Sequence, residues 1–227
     1  NDSNAGTVDA PIATLEKAKE LVKTINTDET VTVWFREGTY FIEDTVNFTA
    51  EDKANVLYRS YPGEKVEFTG AKAISDWSET TINGVHAFVT DVEINSDDDY
   101  FRSLFKGNKR LSRSNYPKSG TFKIADPLTS EAIVPENDAN FFTHSVAFNV
   151  HTSDILDFAN PTDIDVKIMH FWCDDLLPVL SVDAKTGRVE TEKASAMTVR
   201  VDDNYIFENV KEALSLPGEW YLDRTEE

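Results

Sequence analysis

One stretch of the chain carries apolar residues at helical spacing and is followed at once by short strands with no helix between them. Leu15, Ala18, Leu21, Val22 and Ile25 recur at intervals of three and four, which predicts an amphipathic helix of about three turns ending near Asn26. Thr14 is placed to cap it, with Lys17 standing where a capping-box Glu would be. From Val31 the period changes. Val31–Phe35, Gly38–Ile42, a short piece at Val46 and Phe48, Val56–Tyr61 and Val66–Gly70 read as strands of three to six residues. Gly38 and Pro62-Gly63 punctuate them as turns would. The lack of a second helix to make β-α-β crossovers argues against a doubly wound sheet. A sandwich, a barrel or a β-helix is left.

Beyond Trp77 the strands lengthen and the loops grow. Val85–Val92, Phe101–Phe105, Ser145–Val150, Val166–Trp172, Leu177–Val182, Arg188–Thr191 and Met197–Val201 are expected strands. Gly107-Asn108 and Asp183-Ala184-Lys185-Thr186-Gly187 are expected turns. This texture is antiparallel β and suggests an inserted domain. Phe207–Leu214 reads as a short helical turn, and Pro217–Asp223 as a turn into a strand whose partner is not evident.

Composition narrows the function classes. With 40% hydrophobic residues the 227-residue chain can bury a core. Lys and Arg total 22 against 41 Asp and Glu, a formal net charge of −19. That surface repels phosphate backbones and anionic lipid, so neither nucleic acid nor membrane is an expected partner. It also disfavours a polyanionic substrate unless cations mediate. Cys173 is the single cysteine, so no internal disulfide is available, and it reads as a partly buried small residue. The opening Asn1-Asp2-Ser3-Asn4 reads as a mature or trimmed start.

Several segments together resemble the secreted right-handed parallel β-helix proteins of the pectin-lyase-like group, of the glycoside-hydrolase type. Gly6-Thr7, then Pro11-Ile12-Ala13-Thr14-Leu15 and a helix, resemble the entry to that fold, where the helix caps the open end of the coil. Gly38-Thr39-Tyr40, Tyr61-Pro62-Gly63-Glu64-Lys65-Val66 and Thr69-Gly70 resemble its first turns. Leu104–Arg110, Arg113 and Tyr116-Pro117 look like the start of an inserted β-domain, and Glu208-Asn209 with Pro217–Asp223 like the return to the coil. The resemblance implies an all-β fold: the first turns of a right-handed parallel β-helix, an N-terminal capping helix and an inserted antiparallel β-domain. The expected divisions are 1–93, 94–202 and 203–227.

The resemblance further implies a carbohydrate-active, bacterial, secreted or cell-surface protein, with a polysaccharide or oligosaccharide as partner. In such relatives the catalytic carboxylates sit on later coils, so this chain is expected to be the cap and accessory part of a glycoside hydrolase that continues past Glu227. A non-catalytic glycan-binding or structural module and a polysaccharide lyase fragment are the alternatives. Terminal coils without a cap expose strand edges, so self-association through the open β-helix edge is expected.

No catalytic residue is nominated. His86, His144, His151 and His170 lie in no nucleophile motif, and with 41 acids a carboxylate pair can always be named. His86, beside Gly84, reads as a structural turn residue, and so does Glu219, beside Pro217-Gly218 and Trp220. No cofactor and no metal site is expected: zinc and EF-hand motifs are absent, and Asp97-Asp98-Asp99, Asp174-Asp175 and Asp202-Asp203 read as solvated turns before they read as calcium ligands. Arg102, Lys106, Lys109, Arg110 and Arg113 form a basic cluster expected on a solvated face, paired with acids.

The sugar-binding candidates are His170, Trp172 and Asp174, which on a strand would face the same side. Exposed, that side would offer a stacking face and two hydrogen-bonding groups. Burial of Trp172 in the core is the favoured alternative, because large aromatics are mostly buried. Trp34, Trp77 and Trp220 are expected to be packing residues.

Overall fold

The structure is a computed structural model that describes residues 1–93, 100–134 and 142–224. The expected acidic turn at Asp97-Asp98-Asp99 lies outside the described residues. Among the described residues the chain is mostly β with one α-helix, in two compact units, Asn1–Asp76 and Trp77–Glu227.

In the first unit α1 spans Leu15–Thr24 and buries Ala18 and Val22. The Thr14 hydroxyl accepts the Lys17 N–H at 3.1 Å, as the sequence predicts. Asp2 adds a second layer of capping: its carboxylate accepts the N–H groups of Ala13 and Thr14 and the Thr14 hydroxyl at 2.8–3.0 Å. Four strands follow, β1 (Val31–Phe35), β2 (Gly38–Phe41), β3 (Val56–Ser60) and β4 (Val66–Thr69). β3 lies parallel to β1 from Val31↔Val56 to Phe35↔Ser60, and β4 parallel to β2 from Gly38↔Val66 to Phe41↔Thr69.

The corner between the two pairs is fastened by Glu64, whose carboxylate accepts from Arg36 Nε, Arg36 Nη2 and the Glu37 N–H at 2.6–2.9 Å. Phe35, Tyr40 and Phe68 pack ring to ring between the strands, with centroids 4.9–5.4 Å apart. The strand expected at Val46 and Phe48 is absent. That segment is irregular backbone, held by Lys19 over the Phe48 ring and by Asp52 accepting from the Thr49 N–H. Trp34 and Trp77 are also not packing residues in the full sense, being 42% and 46% exposed.

The second unit begins with a hairpin, β5 (Ser78–Ile82) and β6 (Val85–Val89), turning on Asn83-Gly84 with positive φ at both, the geometry that matches strand twist in a two-residue loop. His86 lies on β6 just past that turn, 3.5 Å from Glu79. Then come β7 (Phe105–Lys106) and β8 (Lys109–Arg110), a hairpin around the expected Gly107-Asn108, followed by β9 (Ser112–Arg113), β10 (Asn115–Tyr116), β11 (Phe122–Asp126), β12 (Ala147–Val150), β13 (Asp165–Met169), β14 (Asp174–Asp183), β15 (Arg188–Thr191), β16 (Asn204–Glu208) and β17 (Glu219–Trp220). A 3₁₀ turn at Lys211–Ala213 stands within the segment read as a helical turn.

The larger sheet closes on itself. β16 pairs with β11 and β13, β11 with β12, β12 with β15, β15 with β14, and β14 with β13, every pair antiparallel. β10 adds to the β11 side of β16. β14 makes closure possible by serving both neighbours: Asp174–Pro178 pair with β13, and Val179–Asp183 pair with β15 across an irregularity between Val179 and Ser181. A closed ring leaves no unpaired strand edge.

Side chains fill the interior. Ile124, Phe148, Val166, Ile168, Val179, Val189, Tyr205 and Phe207 are essentially inaccessible, as expected of a barrel too narrow to hold a ligand. Each such burial contributes about 1.5–3 kcal/mol. A strand expected at Met197–Val201 is instead irregular backbone, and Val199 alone of it enters the core.

The last strand has a partner within the chain: β17 runs parallel to β9, Glu219↔Ser112 and Trp220↔Arg113. Trp220 packs face to face on Phe101, 5.3 Å between centroids. Asn209, fully buried with positive φ, locks this end down. Its amide donates to Asp163 O and Leu222 O, and its side-chain oxygen accepts the Leu222 N–H.

Candidate glycan-binding site

β13 ends at Met169, and the chain reverses over the next four residues, with the His170 N–H donating to the Cys173 carbonyl at 2.9 Å before β14 begins at Asp174. The expected strand through Trp172 therefore stops short. In a turn, the strand rule that sets His170, Trp172 and Asp174 on one side does not apply. The structure separates the three. His170 points inward, with its side chain 2% exposed. Trp172 points outward and is 68% exposed, so its expected burial in the core is overturned. Asp174 is exposed on the start of β14 and pairs with Lys167 at 2.9 Å.

What the turn presents is an aromatic pair. Phe171, 85% exposed, and Trp172 meet edge to face, 5.3 Å between centroids at 87°. They line a cavity of about 190 Å³ with Phe142, His170, Met197, Thr198 and Arg200. Large apolar side chains held in water at a turn tip are a feature that invites a ligand: Phe171 and Trp172 are more exposed than the other exposed rings of the unit, Phe88, Phe105 and Trp77.

The base of the turn is rigid. His170 Nε2 lies 2.9 Å from Asp175 Oδ2, and Nδ1 faces Asp203 Oδ2 at 3.5 Å. A carboxylate accepts and does not donate, so the ring N–H at Nε2 is the donor. Asp175 Oδ2 also accepts the Ala196 N–H at 2.9 Å, which ties the irregular 195–200 segment to β14. Asp203 Oδ2 accepts the Arg200 N–H at 2.9 Å. Next to this, Thr198 Oγ1 accepts the Thr143 N–H at 2.9 Å. The cavity walls thus come from three separated segments, held together by polar contacts that are mostly part-buried.

Several of the other acids and bases singled out in the sequence have structural duties, whereas Lys106, Lys109 and Arg110 are exposed on the β7–β8 hairpin. Arg102 and Arg113 do pair with acids, but not on a solvated face. Both reach Asp165, which is wholly buried, at 3.3 and 2.6 Å; Arg224 joins them at 3.1 Å, and Arg113 also reaches Glu208 at 3.1 Å. Burial pushes the Asp165 carboxyl up, and the Arg113 and Arg224 guanidiniums beside it outweigh that, so it lies below the ordinary carboxylate range.

Asp163, one turn before β13, accepts from the Tyr221 hydroxyl and from the Arg224 N–H, and its burial pushes its carboxyl up. Glu219 holds the 215–219 turn by accepting from the Ser215 and Leu216 N–H groups and pairs with Lys118 at 2.6 Å, which is the turn role the sequence predicts. Among the described residues no group of three or more His, Cys, Asp or Glu is placed to hold a metal ion, and no helix is long and apolar enough to cross a membrane.

No protein-family profile matches the chain, and no curated protein does. A solved structure described as "Glycoside hydrolase" superposes with a TM-score of 0.73 at 20% sequence identity, over 98% of this chain and 40% of that one. At that identity the likeness is one of fold, and it extends through both units. The chain spans 40% of the length of the protein it matches.

Proposed function

We propose that this chain is the glycan-binding, non-catalytic part of a carbohydrate-active protein, and that the Phe171–Trp172 turn is where it meets the sugar. The observation that carries the reading is the exposed aromatic pair on a rigid base beside a small cavity. The apolar face of a pyranose ring stacks on such a surface, and the polar groups at the cavity wall take its hydroxyls. Likeness of fold to a chain described as a glycoside hydrolase supports the sugar as ligand class.

The two parallel strand pairs of the first unit, stacked as β1 on β3 and β2 on β4, support reading it as the first turns of a parallel β-helix with α1 as its cap. On that reading the catalytic carboxylates belong to later turns, and the protein is secreted or surface-borne. Within the barrel unit Asp163, Asp165, Asp175 and Glu219 are each engaged in holding the fold. Arg102, Arg113 and Arg224 are committed to Asp165, so this cluster does not supply the cations that the lyase alternative would need.

The test is affinity electrophoresis of the 227-residue chain through gels containing a panel of soluble polysaccharides, with reducing-sugar release measured alongside. Retardation by at least one polymer, reduced in Trp172→Ala and without sugar release, is the expected result. Hydrolysis by the chain alone would place catalytic residues within it and overturn the non-catalytic reading.

A further inference from the structure

The same cavity has one wall whose charge is not spent. Arg200 is exposed and lines the cavity with Trp172. Its backbone N–H is used by Asp203, but its guanidinium makes no hydrogen bond or ion pair with any described residue. Of the other five arginines of the second unit, Arg102, Arg113, Arg188 and Arg224 each sit 3.3 Å or less from a carboxylate, and Arg110, exposed on β8, makes no ion pair with a described residue and lines no aromatic cavity. In a chain with 41 acids against 22 bases, a guanidinium that finds no acid among the described residues while bordering an exposed aromatic pair is a cation left for a ligand.

The acids close by are engaged elsewhere: Asp203 by the Arg200 N–H, Asp175 by His170 and Ala196, and Asp174 by Lys167. Asp202, exposed in the adjoining turn, opposes an anion. Selectivity must therefore come from direct contact with Arg200 and not from the general field of a chain at −19.

We infer that the cavity at the Trp172 turn takes an acidic sugar, whose ring lies on the indole of Trp172 and whose carboxylate pairs with Arg200. The inference rests on the glycan-binding reading and deepens it by naming the ligand class. A guanidinium presents a planar fork of N–H donors that matches a carboxylate with two parallel hydrogen bonds. A neutral sugar of the same ring can use the indole and leaves the fork in water.

The experiment compares sodium alginate with its neutral propylene-glycol ester, at one fixed moderate salt concentration, on the whole chain and on Arg200→Ala and Trp172→Ala, each checked for native circular dichroism. The expected result is affinity for the acid polymer about tenfold above that for the ester, the size of one charge-assisted contact. Arg200→Ala removes the preference and leaves the ester affinity as it was, and Trp172→Ala weakens both. Equal wild-type affinity for acid and ester overturns the acidic-sugar inference while the glycan reading stands. A preference that survives in Arg200→Ala overturns the role of Arg200. Binding of neither polymer overturns the acidic-sugar inference, and the glycan reading is decided by the polysaccharide panel.

Discussion

His170 and Asp175 meet across the turn between β13 and β14 with Nε2 and Oδ2 2.9 Å apart, and both side chains are buried beneath an aromatic pair that is not. The contact joins the two ends of the turn, and through the Ala196 N–H it also joins the turn to the opposite wall of the cavity. Asp175→Ala strands a buried imidazole and a backbone N–H, and removal of one partner of a buried hydrogen bond costs about 1–3 kcal/mol. Urea unfolding of that variant is expected to show a lower midpoint at unchanged slope, with glycan affinity reduced because the cavity walls come apart.

Asp165 is the acceptor for three guanidiniums and has no access to water. Asp165→Asn leaves buried arginines without their counter-charge, a loss of about 3–5 kcal/mol. Lys167→Ala removes the exposed pair with Asp174 on the same strand and is expected to change stability by about 0–1 kcal/mol. Equilibrium denaturation of the two variants side by side distinguishes the buried network from the surface pair.

Acid is expected to weaken both units. Asp52 is held down to about 2, first by the hydrogen bond from the Thr49 N–H and then by Lys23 and Lys19. Asp165 is also held low, against its burial, by Arg113 and Arg224. A carboxyl depressed in the folded state contributes stability that is present above its unfolded pKa of about 3.9 and is lost as pH falls through the folded value. Asp163 runs the other way: burial raises it, the folded state favours its protonated form, and its contribution improves as pH falls through that raised value. Melting temperature should therefore hold on mild acidification and fall steeply between about pH 4 and about pH 2. A midpoint already lost near neutral pH would point to histidines instead.

Gly187 sits in the β14–β15 turn at φ +80°, and a Cβ there would run into the Val150 carbonyl. Its own N–H closes the turn on Asp183 O, and its carbonyl accepts the Val150 N–H. Gly187→Ala meets both a left-handed backbone and a backbone collision, so a destabilisation of more than about 1 kcal/mol is expected. Gly84→Ala, at φ +76° with open space around it, is expected to show only the backbone part. Thermal melts of the pair separate the two effects.

Local signals in the sequence carried the local structure. Thr14 capped the helix it was read to cap, and Gly107-Asn108 and Asp183–Gly187 turned where they were read to turn. The barrel was not legible, because its closure depends on β16 meeting β11 and β13, pairings between distant segments that no local pattern encodes. β16 itself, Asn204–Glu208, alternates inward Tyr205 and Phe207 with outward neighbours. Five residues of alternation are a weak signal, and the sequence assigns Phe207 and Glu208 to a short helical turn over 207–214 and residues 204–206 to no element.

The site was legible as a cluster and not as a geometry. His170-Phe171-Trp172 carries no glycine, proline or asparagine to announce a reversal, so the strand was extended through it and Trp172 was sent to the core. Arg200 had no signal at all. Its interest comes from the exposed aromatic pair it borders and from the acid it lacks among the described residues, which only the packed structure reveals.

Of the four tryptophans, Trp172 is the most exposed and Trp220 is buried, which makes intrinsic fluorescence a direct report on the turn. The decisive measurement is a fluorescence titration of the wild-type chain and of Trp172→Phe with the polysaccharide that retards it. A saturable blue shift in the wild type that is absent from Trp172→Phe is the predicted result. A saturable shift of the same size in Trp172→Phe would show that the sugar binds elsewhere and would contradict the account.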